Sequence, residues 1–248
     1  MDLGLTDRTF VVTGASSGLG LAGARALAAE GANVVMVARR ADVLDEQVAL
    51  IGDRARALTA DLTDPSTPQR AVDLALETFG GIDGALVSVG GPPPGSVVGT
   101  SDQIYRDALE SVLLPAVRIA RVLVAARPDP RLAFVLSSSA RSPLPDMAPS
   151  NAMRGGLAML ISQLADEIGP DGGRAVGLMP GTISTPRITE LHGTGHHGSR
   201  AATERPIPLG RLGRPEEFGT VATFALSDAA SYLTGSLIAV DGGALRVP

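Results

Sequence analysis

The chain has 248 residues, 44% of them hydrophobic, so it can bury a sizeable core. With no Trp, two Tyr and five Phe, that core must come from Val, Leu, Ala and Ile. A formal net charge of −5 leaves no basic stripe to neutralise phosphates and argues against nucleic acid as a partner. The absence of cysteine excludes disulfides and thiolate metal sites and fits a reducing compartment. The start, Met1-Asp2-Leu3-Gly4, is no signal peptide, and no run reaches the roughly 18 apolar residues of a membrane span. A soluble cytoplasmic protein without a membrane partner is expected.

Residues 9–12, Thr9-Phe10-Val11-Val12, are a β-branched apolar run of strand length. They lead into Thr13-Gly14-Ala15-Ser16-Ser17-Gly18-Leu19-Gly20 and then an alanine-rich helical pattern over 21–29. Strand, glycine turn and helix near an N-terminus form a cradle for a pyrophosphate, because backbone N–H groups and the helix dipole converge on the anion. Gly14 suits the tight turn, Gly18 keeps a Cβ away from the phosphates, and Gly20 lets the helix approach the strand. Gly14, Ser16, Ser17, Gly18, Leu19 and Gly20 are therefore candidate cofactor contacts.

Further along, 33–38 reads as a strand and 42–51 as an amphipathic helix with Asp42 as its N-cap. A short strand over 56–59 ends near Asp61, and a helix follows over 68–79. A strand over 85–88 is stopped by Gly90-Gly91-Pro92-Pro93-Pro94-Gly95, and one long helix is expected over about 101–126. Strands over 132–136, 175–179 and 237–240 alternate with helices over 150–168 and 215–227. Continuous rather than alternating apolar strands mean burial on both faces. The expected fold is α/β, a Rossmann-type doubly wound parallel sheet of about seven strands with helices on both faces, in one domain over 1–248. Two segments fit neither element: the glycine–proline loop at 90–99 and a stretch over about 184–208, read as a substrate lid. Apolar loop residues point to a hydrophobic ligand.

After the second strand stands Ala38-Arg39-Arg40. An NAD site places a carboxylate there for the ribose diol. Here Arg39 and Arg40 can instead meet a 2′-phosphate, so NADP(H) is favoured over NAD(H).

Taken together, these motifs resemble a short-chain dehydrogenase/reductase over nearly the whole chain, in finer detail a divergent 3-oxoacyl-carrier-protein-reductase-like branch. Thr13 to Gly20 fits that family's TGxxxGxG, and Asp61-Leu62 stands at its adenine-contacting Asp. Pro180-Gly181-Thr182-Ile183-Ser184-Thr185 fits the segment that contacts the nicotinamide carboxamide. The C-terminal third matches through Arg211 to Glu217, Ser231 to Gly235 and Val240 to Gly243. The resemblance implies Asp61, Leu62, Gly90, Arg154, Pro180, Gly181, Ile183 and Thr185 as further cofactor contacts. It also implies a dimer or tetramer packed through the two long helices and the last strand. The rows Leu113, Val117, Ala120 and Leu157, Ile161, Leu164 suit that interface and equally suit a sheet-facing side.

The family's chemistry rests on an Asn, a Ser, a Tyr and a Lys, and here the pattern breaks. Ser138 stands at the Ser, while Ser150 and Arg154 occupy the Tyr and Lys of Tyr-x-x-x-Lys, in a register fixed by Gly155-Gly156-Leu157. Val112 falls at the Asn, and Ser88-Val89-Gly90-Gly91 replaces the family's Asn-Asn-Ala-Gly. An aliphatic hydroxyl is a far weaker acid than a phenol, and Arg keeps its proton. Ser138, Ser150 and Arg154 are the candidate catalytic set, with Ser150 as a helix N-cap the competing reading. Tyr105 and Tyr232 read as packing residues, Asp146 as a turn residue or a substitute acid, and His192, His196 and His197 as loop histidines or acids delivered by the lid. No arrangement completes a metal ligand set. Two functions follow: an NADP(H)-dependent oxidoreductase on a carbonyl or alcohol substrate with an atypical site, or a nucleotide-binding protein without redox turnover, such as a sensor, an inactive partner or a non-redox enzyme.

Overall fold

A computed structural model describes residues 2–193 and 207–246. Seven parallel strands form one sheet in the order β3-β2-β1-β4-β5-β6-β7. They are β1 (Thr9–Thr13), β2 (Asn33–Ala38), β3 (Ala55–Thr59), β4 (Gly84–Val87), β5 (Arg131–Val135), β6 (Arg174–Pro180) and β7 (Leu237–Val240). The helices are α1 (Gly18–Ala29), α2 (Ala41–Ile51), α3 (Thr67–Phe79), α4 (Asp102–Ala108), α5 (Leu114–Ala126), α6 (Ala148–Ile168), α7 (Pro186–Gly193) and α8 (Pro215–Leu226). This is the expected Rossmann-type α/β fold.

The alternating sides of each strand build two cores. Val11, Val35, Val87 and Phe134 point to α3, α5 and α6, where they meet Val72, Ile119 and Ile161. Phe10, Val34, Met36 and Leu178 point to the opposite face and pack with Leu27 of α1, Leu44 of α2 and Phe218 of α8. Both strand faces are covered, which is why the runs are apolar throughout. The chain winds outward from β1 through β2 to β3, then returns to β4 beside β1. The reversal lies between β1 and β4, so a crevice opens beyond their carboxyl ends.

Glycines set how closely the layers approach. At Gly20 an added Cβ would lie 2.5 Å from the Gly14 carbonyl oxygen, so α1 can sit against the β1 turn only without a side chain there. Gly219 of α8 would meet the Ala22 carbonyl at 2.6 Å, so the same device docks α8 on α1. At the opposite sheet edge, buried Arg174 donates to the carbonyls of Ala225, Ser227 and Ala230 and satisfies the C-terminal end of α8.

Several local expectations change. The helix expected over 101–126 is broken by a π-helical segment, Leu109–Leu113, in which the Leu114 N–H reaches the Leu109 carbonyl. Pro115 has no N–H to give the preceding turn, and the wider turn absorbs the defect. Helix α2 is capped at Arg40 rather than Asp42, which lies in the first turn where its charge complements the dipole. Helix α6 starts at Ala148, with Met147 at the cap and Pro149 in the first turn. Ser150 is therefore inside the helix and is not its N-cap. Ala120, Leu157 and Ile161 lie in the sheet core, with Leu113 and Leu164 packed against it, whereas Val117 is partly buried and belongs to neither core. Tyr232 is fully exposed and packs nothing, whereas Tyr105 is half-buried. Among the described residues no helix is long and apolar enough to cross a membrane.

The crowding at Gly20 gives a direct contrast with Gly155, a helical glycine of α6 with nothing within 4 Å of an added Cβ. Gly20→Ala is expected to lower unfolding free energy by about 1–3 kcal/mol. Gly155→Ala should raise it by about 0.5–1 kcal/mol through helix propensity. Urea denaturation of both variants checks this, and equal effects of the same sign would contradict the packing.

Candidate active site

The carboxyl ends of β1, β4, β5 and β6 meet at one edge. Gly14 (φ 59°) and Gly18 (φ 57°) adopt left-handed backbone, as the cradle requires. A Cβ at Gly14 would lie 2.9 Å from the Ser88 carbonyl oxygen, and one at Gly18 would lie 3.6 Å from the Thr185 side chain. The turn after β1 thus lies beside the segment after β6 that the sequence singled out separately. Helix α1 begins with Ser17 at the cap, no side-chain cap bond and no acidic residue in its first turn, which leaves its N–H dipoles for an anion. Leu19 is partly buried against the α1-face core.

The Thr13 hydroxyl ties this turn to β4: it donates to the Ser88 carbonyl (2.7 Å) and accepts the Ser88 N–H (2.8 Å). Sequence reading assigned Thr13 no such role, although a hydroxyl ending an apolar strand was a usable signal. On the outer side, Arg40 donates from Nη2 to the Ser16 Oγ (3.1 Å) and carbonyl (3.2 Å). Arg39 and Arg40 are both exposed, and the Arg39 charge reaches Asp61. The Asp61 carboxylate accepts the N–H and hydroxyl of Thr63, each at 2.9 Å. The Thr63 backbone bond is the main reason its pKa lies below the usual value, with the Thr63 hydroxyl and Arg39 adding to it. Leu62 packs against the core.

Arg154 is buried to 5% exposure and faces no carboxylate among the described residues. It donates from Nη1 to the Val135 carbonyl at the end of β5 (2.6 Å), and from Nη2 to the carbonyls of Val89 and Gly90 (3.3 Å each). Desolvation lowers its pKa to about 10, so the charge persists at neutral pH. One turn before it on α6, Ser150 is buried as well. After β5, the Ser137 Oγ accepts the Ser139 N–H, Ser138 is half-buried, and the buried Ser139 Oγ has no partner among the described residues. Val112 of the π segment is fully buried in place of any polar group.

Two backbone ladders frame the entrance. Gly95 donates to the Asp146 carbonyl (2.7 Å) and accepts the Ala148 N–H (2.9 Å), which pins the glycine–proline loop beside the start of α6. Asp146 is an exposed turn residue at φ 54°, which favours the turn reading over the acid. Asn151 closes the neighbouring turn through Leu144. On the β6 side Gly181 donates to the Val240 carbonyl (3.0 Å), and Ser184 to the Gly213 carbonyl (2.8 Å), with Ile183 buried between. Pro180 ends β6. Of the lid expected over 184–208, the described part holds α7. His196, His197 and the side chain of His192 lie outside the described residues.

A doubly wound sheet with a glycine turn at its switch point defines a Rossmann-type protein. The sequence matches the family described as Enoyl-(Acyl carrier protein) reductase over residues 14–244. It is 34% identical to 3beta-hydroxysteroid dehydrogenase 1 of Eggerthella lenta, over 98% of this chain and 96% of that one. L-Sorbose reductase of Gluconobacter frateurii, solved with NADPH and L-sorbose, is 30% identical with a TM-score of 0.92 over all of both chains. An NADPH-bound short chain oxidoreductase of Pseudomonas aeruginosa PAO1, described as containing an atypical catalytic center, is 27% identical with a TM-score of 0.92 over 99% of each chain. The chain belongs to the short-chain dehydrogenase/reductase family of oxidoreductases.

Replacing Thr13 tests the join between β1 and β4. Thr13→Val leaves the Ser88 N–H and carbonyl unpaired and should cost about 1–3 kcal/mol, while Thr13→Ser should cost markedly less. Denaturation midpoints of the two variants check this, and a Val variant as stable as the parent would contradict the clamp.

Proposed function

We propose that the protein is an NADP(H)-dependent oxidoreductase acting on a carbonyl or alcohol substrate, with a site that departs from its family's Tyr-x-x-x-Lys pattern, as in a divergent 3-oxoacyl-carrier-protein-reductase-like branch. One domain over 1–248 carries both cofactor and substrate. The observation that carries this reading is the convergence, at one sheet edge, of the Gly14–Gly20 turn, the Arg40–Ser16 contact and the buried Arg154 beneath Gly90. The neighbours solved with NADPH support the same cofactor.

The residues present fit the dinucleotide. Gly14, Ser16, Ser17, Gly18, Leu19 and Gly20 would hold its pyrophosphate over the start of α1. Arg39 and Arg40 would meet a 2′-phosphate, and Asp61 and Leu62 would lie at the adenine. Gly90, Pro180, Gly181, Ile183 and Thr185 would line the nicotinamide half. When bound, the nicotinamide supplies or accepts the hydride. NAD(H) would forgo the arginine contacts, which is the physical basis for the NADP(H) preference.

Around the reacting oxygen, Ser138 and Ser150 donate hydrogen bonds from their hydroxyls. Arg154 stays charged and stabilises negative charge on that oxygen from beneath Gly90. Its guanidinium keeps its proton, so the proton that completes an alcohol comes from water through a serine hydroxyl. A missing positioned acid costs roughly 10²–10⁴-fold in rate, which restricts efficient turnover to activated carbonyls. None of these three groups titrates between about pH 6 and 9, so the rate should be flat across that range. The full-length likeness to oxidoreductases weighs against binding without turnover.

Two measurements test this. Fluorescence titration of an Arg39→Ala variant, which leaves the Arg40–Ser16 contact of the shared cradle in place, should show NADPH binding weakened about tenfold and NADH binding unchanged within about twofold. Equal losses for both would remove the 2′-phosphate assignment. NADPH consumption screened over activated ketones and aldehydes should show turnover that falls in an Arg154→Lys variant, since Lys keeps the charge without the planar fork. Binding without turnover of any carbonyl would overturn the oxidoreductase reading.

A further inference from the structure

The loop after β4 is approached by two guanidinium groups. Arg154 reaches it from below through the Val89 and Gly90 carbonyls. From the other side Arg187, in the first turn of α7, donates from Nη2 to the Pro92 carbonyl (3.1 Å) and from Nη1 to Glu190 Oε2 (3.3 Å). A Cβ at Gly91 would lie 3.7 Å from Arg187 Nη2 and 3.8 Å from its Nε. The Nε–Nη2 edge, the one that forks a carboxylate, thus lies beside Gly91, whose missing side chain leaves it uncovered there, while Nη2 also holds the Pro92 carbonyl. The Arg187 side chain remains 38% exposed.

Position separates this arginine from the phosphate cradle. Thr185, two residues earlier, lies against Gly18, whereas Arg187 has passed the cradle and contacts the loop whose Gly95 pairs beside Met147, just before Ser150. Glu190 offsets one of the two charges, and Arg154 has no carboxylate among the described residues. The Arg154 charge is buried beneath the loop, and Arg187 keeps one carboxylate partner, Glu190, at its exposed end. Further along the same loop, Val97 and Val98 are exposed and suit an apolar body.

We propose that Arg187 is a specificity-determining residue that grips an anionic group of the substrate, so that the site takes carbonyl compounds bearing a carboxylate. This rests on the oxidoreductase reading for the carbonyl, while the anion contact stands on the Arg187 geometry. A bidentate pair of this kind discriminates a carboxylate from its neutral ester by charge and by shape. The cofactor's pyrophosphate is the competing anion.

The experiment compares 4-formylbenzoate with its methyl ester. Binding to the NADP⁺-saturated protein is read by calorimetry, and turnover by NADPH consumption. The acid should bind at least about tenfold more tightly than the ester, a preference that shrinks to about twofold or less in Arg187→Met and is partly kept in Arg187→Lys. NADPH affinity should stay within about twofold of the parent in both variants. The proposal is overturned by equal or undetectable binding of acid and ester, or by a preference that survives Arg187→Met. It is also overturned if Arg187→Met weakens NADPH about tenfold with the acid preference intact, which assigns the anion to the cofactor. An acid preference that collapses in Arg187→Met without turnover of either probe keeps the anion site and removes only the redox reading.

Discussion

Arg154 lies beneath the carboxyl edge of the sheet with its charge buried and, among the described residues, only main-chain carbonyls to receive it. Taking a guanidinium out of water costs several kcal/mol, and charge-assisted bonds to three carbonyls offset much of that. Those carbonyls belong to the end of β5 and the loop after β4, so one side chain fixes where both strands stop. The loop that Thr13 holds from the β1 side and Gly95 holds from the α6 side is therefore also held from beneath by Arg154 and at Pro92 by Arg187. Removing the cation would leave three carbonyls unsatisfied at the centre of the candidate site. A lysine has a point charge and no planar fork, so it could not span the same two strands in the same way.

This arrangement bears on the proposed chemistry. A cation that already donates to carbonyls is poorly suited to shuttling a proton and well suited to a fixed electrostatic role. The fully buried Val112 in the π segment points the same way, since it offers no polar relay between α5 and the site. The remaining hydroxyls, Ser138 and Ser150, orient an oxygen more readily than they acidify one. The two guanidinium groups hold the loop after β4 from opposite sides, Arg154 at Val89 and Gly90 and Arg187 at Pro92.

The cradle was legible in the sequence because its glycines are demanded by geometry: two by left-handed backbone, Gly20 by the carbonyl it would otherwise strike. Burial on both faces of a parallel sheet followed from uninterrupted apolar runs, whereas the strand order left no such local mark. Boundaries set by proline were harder to read. Pro149 lets α6 begin before Ser150, and Pro115 turns one expected helix into α4, a π segment and α5. The two helical rows could face a partner or the sheet on periodicity alone, and packing assigns all of them but Val117 to the sheet. Contacts made across the fold left no local trace. Nothing adjacent to Arg187 announces that it will meet Pro92, a partner 95 positions away.

The central claim is that this edge carries out hydride chemistry with a fixed cation in place of a titrating acid. It is tested most directly by incubating the protein with NADPH carrying deuterium at the nicotinamide C4 and an activated ketone, from about pH 6 to 9. Deuterium is expected on the carbinol carbon of the product, with a rate flat across that range. Absence of label from any product, or a rate that follows the titration of a single group near neutrality, would contradict the claim.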